Sequence, residues 1–142
     1  MIYIHKGGPS PYNLSSPDLT IYGNSAGGYA GRPASGGDIN NDGFGDVLIG
    51  ARGEVGPDSL GTGRVHLLCG ASDGFGEGEV HLSSETSDAT FSAGEGIVGL
   101  GFALAGGGDI NGDGFQDIAL TAYSNDGSSG TIHIISTPMA RT

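Results

Sequence analysis

An all-β, antiparallel architecture is what this sequence predicts, and three observations predict it. The apolar runs are four to seven residues long, rich in Val, Ile, Leu and Tyr, as in "DVLIGA", "RVHLLCG", "DIALTA" and "TIHIIS". Thirty glycines among 142 residues, with Asp, Asn, Ser and Pro, punctuate those runs as turns rather than forming a low-complexity tract. One acidic phrase is written twice, "GGDINNDGFGD" over 36–46 and "GGDINGDGFQD" over 107–117, so the chain contains an internal repeat.

Taken in order, strands are expected over Ile2–His5, Asp18–Tyr22, Tyr29–Ser35, Val47–Ala51, Arg64–Cys69, Glu79–Ser83, Gly101–Ala105, Ile118–Ala122 and Thr131–Ile135. Helical periodicity is absent. Pro33 falls inside the third of these, and because proline cannot donate to a ladder, that strand needs a free edge or a bulge there. The stretch from Leu100 to Ala122 parallels Tyr29 to Ala51, "GRVHLLCG" is answered by "GTIHIIST", and the opening "IYIHKGG" aligns with the same strand. The unit is therefore some 60–70 residues long with four short strands, and the chain holds about two and a quarter copies. A partial blade over 1–28, with outer strands, a complete blade over 29–99 and a blade lacking its last strand over 100–142 follow as one repeat region. Such a period suits β-propeller blades, each needing a neighbour to bury both faces, yet a closed propeller needs at least four.

The net charge of −11, from 16 acidic and 5 basic side chains, excludes the basic stripe that a nucleic-acid partner requires. It favours cations instead. In each acidic phrase the oxygen-bearing side chains fall at positions 1, 3, 5 and 9: Asp38, Asn40, Asp42 and Asp46, then Asp109, Asn111, Asp113 and Asp117. Glycine stands at position 6 and Phe44 or Phe115 at position 7, whose carbonyl would add a main-chain ligand while the ring packs underneath. Calcium takes six to eight hard oxygens, and a single loop supplies them when alternate residues point inward and glycine permits a sharp turn. Position 12 is Ile49 or Leu120, so the bidentate Glu of an EF-hand is missing and position 9 has to close the shell. Asp-Gly and Asn-Gly pairs alone would mark only hairpin turns; four oxygen positions repeated in full favour two Ca²⁺ sites. Magnesium prefers a tighter octahedron, and zinc lacks His or Cys nearby.

With those residues in view, "GGDINNDGFGDVLIGA" followed by "GTGRVHLLCG", and its second copy, resemble the FG-GAP repeats of integrin α-subunit-type β-propellers and their bacterial relatives. The resemblance covers nearly the whole chain. It implies that each acidic loop joins the first two strands of a blade, that the loop binds calcium and that a full propeller usually has seven blades; the expected setting is extracellular or at the cell surface. The name-giving "FG" is Tyr29-Ala30 and then Leu100-Gly101, and "GAP" is Gly50-Ala51-Arg52 and then Thr121-Ala122-Tyr123.

No enzyme is expected: there is no nucleophile elbow, no phosphate-cradling Gly-rich loop before a helix, and the paired carboxylates are committed to metal. His66 and His133 occupy equivalent, partly exposed strand positions and read as structural. The lone Cys69 reads as a buried thiol, and "NLS" at Asn13–Ser15 as a formal glycosylation tripeptide in a turn. The first residues lack a signal peptide's apolar stretch, and no run approaches the ~20 residues of a membrane span. The expected function is a non-enzymatic, calcium-binding structural or adhesion module with a protein or glycan ligand met by loops Gly7–Pro17, Glu54–Gly63 and Thr86–Gly96. Two alternatives stand beside it: a subunit that self-assembles into a ring or fibre by blade completion, and a fragment of a larger propeller-containing enzyme or lectin-like protein.

Overall fold

A computed structural model describes residues 1–8, 13–55, 63–94, 96–124, 127 and 129–137. Parts of the loops Gly7–Pro17, Glu54–Gly63 and Thr86–Gly96 lie outside them. The described residues form strands and no helix, as the periodicity predicts: β1 (Ile2–Ile4), β2 (Leu19–Tyr22), β3 (Ala30–Gly37), β4 (Asp46–Ala51), β5 (Arg64–Leu68), β6 (Gly78–His81), β7 (Ala89–Ser92), β8 (Ile97–Val98), β9 (Leu104–Gly108), β10 (Asp117–Ser124) and β11 (Gly130–Ile135). They make three sheets, β1-β2-β6, β3-β4-β5-β7 and β11-β10-β8 with β9 also on β10.

The central sheet explains why "DVLIGA" is a continuous apolar run. Alternate side chains of a strand face opposite ways, and here both faces are covered. Leu48, Val65 and Leu67 point into a cluster shared with Ile118 and Leu120 of the third sheet. Ile49 and Leu68 point the other way, into a cluster with Leu19, Ile21 and Leu82. Burying each such side chain contributes roughly 1.5–3 kcal/mol, so the middle repeat draws on two cores while its neighbours show one each.

Two expectations about the blades need correction. The stretch read as Glu79–Ser83 does form β6, but it leaves its own unit and runs parallel to β2, with Leu19↔Gly78 and Ile21↔Val80. The fourth strand of the central sheet is instead β7, antiparallel to β5, inside the segment Thr86–Gly96 expected as a surface loop. "ATFS" carries one large apolar residue between polar stretches, too little for a period-two signal, whereas "GEVHL" alternates clearly. The expected Gly101–Ala105 strand starts later, at Leu104, because residues 99–103 make a turn in which Phe102 N donates to Gly99 O at 3.1 Å and Gly101 N to Thr121 O at 3.0 Å.

Pro33 is accommodated as its chemistry requires. It pairs with Ile49 on the edge strand β3, whose register shifts between Ala30/Arg32 and between Ser35/Gly37. The doubled glycines of the acidic phrases serve the packing of β3 against β9. A Cβ on Gly37 (φ 75°) would lie 2.7 Å from Gly107 Cα, and one on Gly106 2.8 Å from Ser35 O, well inside contact distance. Gly50 and Gly101 meet in the same way, a Cβ on Gly101 falling 2.9 Å from Gly50 Cα. Arg32 crosses the same seam, its Nη1 donating to Phe102 O at 2.9 Å with the guanidinium 4.6 Å from the Phe102 ring centre.

Candidate functional site

Each acidic loop leaves an edge strand of a sheet and enters the next strand, β3 to β4 and β9 to β10. In the first, Asp38 accepts from Asp42 N through Oδ1 and from Gly43 N through Oδ2, both at 2.9 Å. Asn40 Oδ1 accepts from Asp42 N at 3.1 Å while Nδ2 donates to Asp42 Oδ2 at 2.9 Å. Asp42 Oδ1 accepts from Phe44 N at 3.0 Å. The second loop repeats these bonds: Asp109 accepts from Asp113 N and Gly114 N, Asn111 bonds Asp113 through both ends of its amide, and Asp113 accepts from Phe115 N. Position 6 has the same left-handed backbone in both, φ 89° at Gly43 and 91° at Gly114, and position 4 is left-handed too, Asn41 at 55° and Gly112 at 77°. Asn and Gly are the residues that enter this region at least cost.

Position 9 is set apart from the other three. Asp46 is buried, and its Oδ2 accepts from Ile39 N at 2.7 Å while Oδ1 accepts from Gly70 N at 2.9 Å. Asp117 is buried likewise and accepts from Ile110 N at 2.8 Å and Thr137 N at 3.1 Å. These carboxylates clamp the loop to the turn that follows the third strand of the sheet. Burial pushes the Asp46 carboxyl up from its usual range; the two backbone donors oppose this, and the charges of Asp42 and Asp38 add to it. The structure therefore brings positions 1, 3 and 5 into one exposed hydrogen-bonded turn, with position 9 beneath. Phe44 stays 40% exposed, while Phe115 is half-buried.

Among the described residues, no three His, Cys, Asp or Glu side chains gather into a ready-made metal cluster. The donor chemistry of the loops nevertheless suits a hard cation. Carboxylate and amide oxygens each carry two lone pairs, and each oxygen of buried Asp46 accepts one N–H among the described residues. One residue that the sequence did not single out joins the two loops. Gln116, at position 8 of the second, accepts from Asp38 N of the first at 2.7 Å through Oε1; position 8 of the first loop is Gly45.

A second polar cluster lies away from the loops. His66 is wholly buried on β5, its Nδ1 2.9 Å from Ser87 Oγ and its Nε2 2.9 Å from Glu54 Oε2. Glu54 is also buried and accepts from Arg64 Nη1 at 3.1 Å, with Asn24 Nδ2 at 3.5 Å. His66 and His133 thus do not share one environment: His133 is exposed on β11, where no acid wraps it among the described residues. Cys69 is half-buried and packs at the rim of the core.

Comparison with known proteins matches the FG-GAP repeat profile to residues 29–68 and 100–135. The chain belongs to the FG-GAP repeat family. Integrin alpha-IIb of Mus musculus is 32% identical over 123 residues, 86% of this chain and 11% of that protein. Integrin alpha pat-2 of Caenorhabditis briggsae is 34% identical over 110 residues, 75% of this chain and 8% of that protein. A phosphatidylinositol-glycan-specific phospholipase D of Bos taurus is 31% identical over 114 residues, 79% of this chain and 13% of that protein. The FG-GAP chain spans about a tenth of the length of these relatives. The structure shows what the family's name-giving glycines do here: Gly101 of the second "FG" position packs on Gly50 of the preceding "GAP" position, and Leu100 beside it is buried in the core.

Proposed function

We propose that this chain is a non-enzymatic, calcium-stabilised β-propeller-type module with a structural or adhesion role outside the cell or at its surface. The observation that carries the reading is the reproduction of one acidic loop, with the same hydrogen bonds among positions 1, 3, 5, 6 and 7, at the same place in two sheets. Asp38, Asn40, Asp42, the Phe44 carbonyl and Asp46 would hold one Ca²⁺, and Asp109, Asn111, Asp113, the Phe115 carbonyl and Asp117 the other. Bound calcium would offset the charge of the three carboxylates of each loop, and so couple metal binding to folding. In this reading the three sheets are successive blades, the first receiving β6 and the third β8 from the stretch 29–99, and a protein or glycan ligand is met by the loops. No helix among the described residues is long and apolar enough to cross a membrane.

At a calcium concentration 100-fold above Kd, each site contributes about 2.7 kcal/mol. Millimolar chelator is therefore expected to lower the melting temperature by several degrees, followed by circular dichroism, and restoring calcium should reverse the change. An unchanged melting curve would remove the metal from this reading.

Self-assembly is favoured by a specific observation. Ile132 and Ile134 of β11 are 69% and 49% exposed, while Val65 and Leu67 at the equivalent positions of β5 are 0% and 2% exposed beneath the next sheet. A second copy stacked on this face would bury them. Sedimentation at micromolar concentration should show association that Ile132→Lys abolishes; a monomer at every concentration sinks this second reading.

A further inference from the structure

β2 and β7 hold the same place in successive sheets. β1 and β2 pair Ile2↔Ile21, Tyr3↔Thr20 and Ile4↔Leu19, and β5 and β7 pair Val65↔Phe91, His66↔Thr90 and Leu67↔Ala89. Setting Ile2 on Val65, as the repeat does, sets Thr20 on Thr90 and Asp18 on Asp88. A side-chain bond recurs at that point: Lys6 N donates to Asp18 Oδ2, and Cys69 N to Asp88 Oδ2, each at 2.8 Å.

The two strands differ on their outer edges. Along β2 runs β6, in parallel, with Gly78 N donating to Asp18 O and Leu82 N to Tyr22 O, both at 2.9 Å. Its Val80 and the following Leu82 pack into the core between the first two sheets. Along the outer edge of β7, opposite β5, no strand is paired among the described residues. Backbone groups alternate between the two edges of a strand, so the outward groups of β7 are the Asp88 carbonyl and the backbone of Thr90 and Ser92, matching Asp18 O, Thr20 and Tyr22; Asp88 N, like Asp18 N, turns inward, donating to Leu67 O at 3.0 Å. A cavity of about 610 Å³ opens beside it, lined by Phe91, Leu100, Leu120 and Ile135 among others. Thr90 Oγ1 is buried with no hydrogen-bond partner among the described residues.

We propose that the outer edge of β7 docks an extended peptide segment, parallel to it and in the register of β6 on β2, with two alternating apolar side chains in the cavity and a basic residue just ahead of them. Main-chain bonds along the edge supply affinity and the alternating side chains supply selectivity. The pattern of the occupant is read from β6 itself, since β6 continues the same strand-on-edge interface one repeat earlier. The basic residue follows from charge. Ahead of β6, Glu77 meets Lys6 Nζ at 2.8 Å; at the β7 position Lys6 is replaced by Cys69, and exposed Asp88 and Glu85 remain in a chain of net charge −11. A cation in place of Glu77 complements that surface.

The test titrates a fluorescein-labelled peptide, KGEVHLS, with the whole chain in calcium buffer and follows anisotropy. Saturable binding is expected, with Kd on the order of 10–100 µM. The peptide EGEVHLS should bind at least fivefold more weakly, and the difference should vanish in 1 M salt. Methylating the valine amide of the peptide removes the donor aimed at Thr90 O and should cost at least tenfold, a measurement made on the unaltered protein. Thr90→Pro, which removes an outward N–H and spares the ladder to β5, should lose binding to the same extent. No saturation, equal binding of the methylated peptide, or full binding by Thr90→Pro would each overturn the proposal. So would a dimer of the chain alone that Thr90→Pro abolishes, because the occupant would then be a second copy.

Discussion

Replacing Glu54 by Ala is expected to destabilise the protein by about 3 kcal/mol, read as a lower urea midpoint at neutral pH. Glu54 is buried against wholly buried His66 and bonds it at 2.9 Å, while Arg64 reaches its other oxygen at 3.1 Å. Truncation leaves an imidazole and a guanidinium facing a void, and breaking a buried pair costs more than the pair contributes net because the survivor is stranded. Asn24 from the β2–β3 connection and Ser87 from the β6–β7 turn join the same network, so the loss spreads to two connections. Glu54→Gln keeps an acceptor without the charge and should cost less.

The same residue carries a pH signature. Burial alone would raise the Glu54 carboxyl, but the His66 bond and charge, with Asn24 and Arg64, outweigh it and hold the group below its ordinary value. A carboxylate depressed in the folded state contributes stability that is full above its unfolded pKa, about 4.3, and is lost as pH falls through the lower folded value. The difference in stability between wild type and Glu54→Gln should therefore be constant near neutrality and shrink below about pH 4. A difference that stays constant down to pH 3 would show that Glu54 is not held ionised by its neighbours.

How far the sequence speaks can be judged residue by residue. The acidic loops were legible because the spacing of their oxygen-bearing side chains is a local property: Asp38 to Asp46 are fixed by one turn with glycine at position 6. Strand type was legible where side chains alternate or run continuously apolar, as in β4 and β5. Partner choice was not. β6 resembles a fourth strand by pattern, yet Val80 and Leu82 find their apolar surface on Leu19 and Ile21 of the preceding sheet, and no local signal distinguishes one apolar face from another. β7 escaped notice for the converse reason, since four residues with a single phenylalanine become a strand only when β5 offers them an edge. The glycines show the same limit. Gly50 and Gly101 read as turn or motif residues, and their shared role, letting two sheets approach, exists only once both are folded. His66 could be aligned with His133, but Glu54, twelve residues away along the chain, decided its burial.

Asp42→Ala and Asp46→Ala are expected to separate two roles that the nine-residue spacing presents as one. Asp46 accepts two backbone N–H groups, from Ile39 and Gly70, in a buried position. Removing it leaves two donors without their acceptor, each costing about 1–3 kcal/mol when buried. A loss of about 3 kcal/mol or more should thus appear whether calcium or chelator is present. Asp42 lies in the exposed turn, where it accepts from Phe44 N at 3.0 Å; in chelator its loss should cost less than about 1 kcal/mol. In calcium the same substitution should cost most of the metal-linked stabilisation, about 2.7 kcal/mol at 100-fold saturation. The comparison is a double cycle of variant against metal, read by urea denaturation. If Asp46→Ala is mild in chelator, the carboxylate acts through the metal and not as a clamp; if Asp42→Ala costs the same in both conditions, the exposed turn is held together without calcium and the loops are hairpins alone.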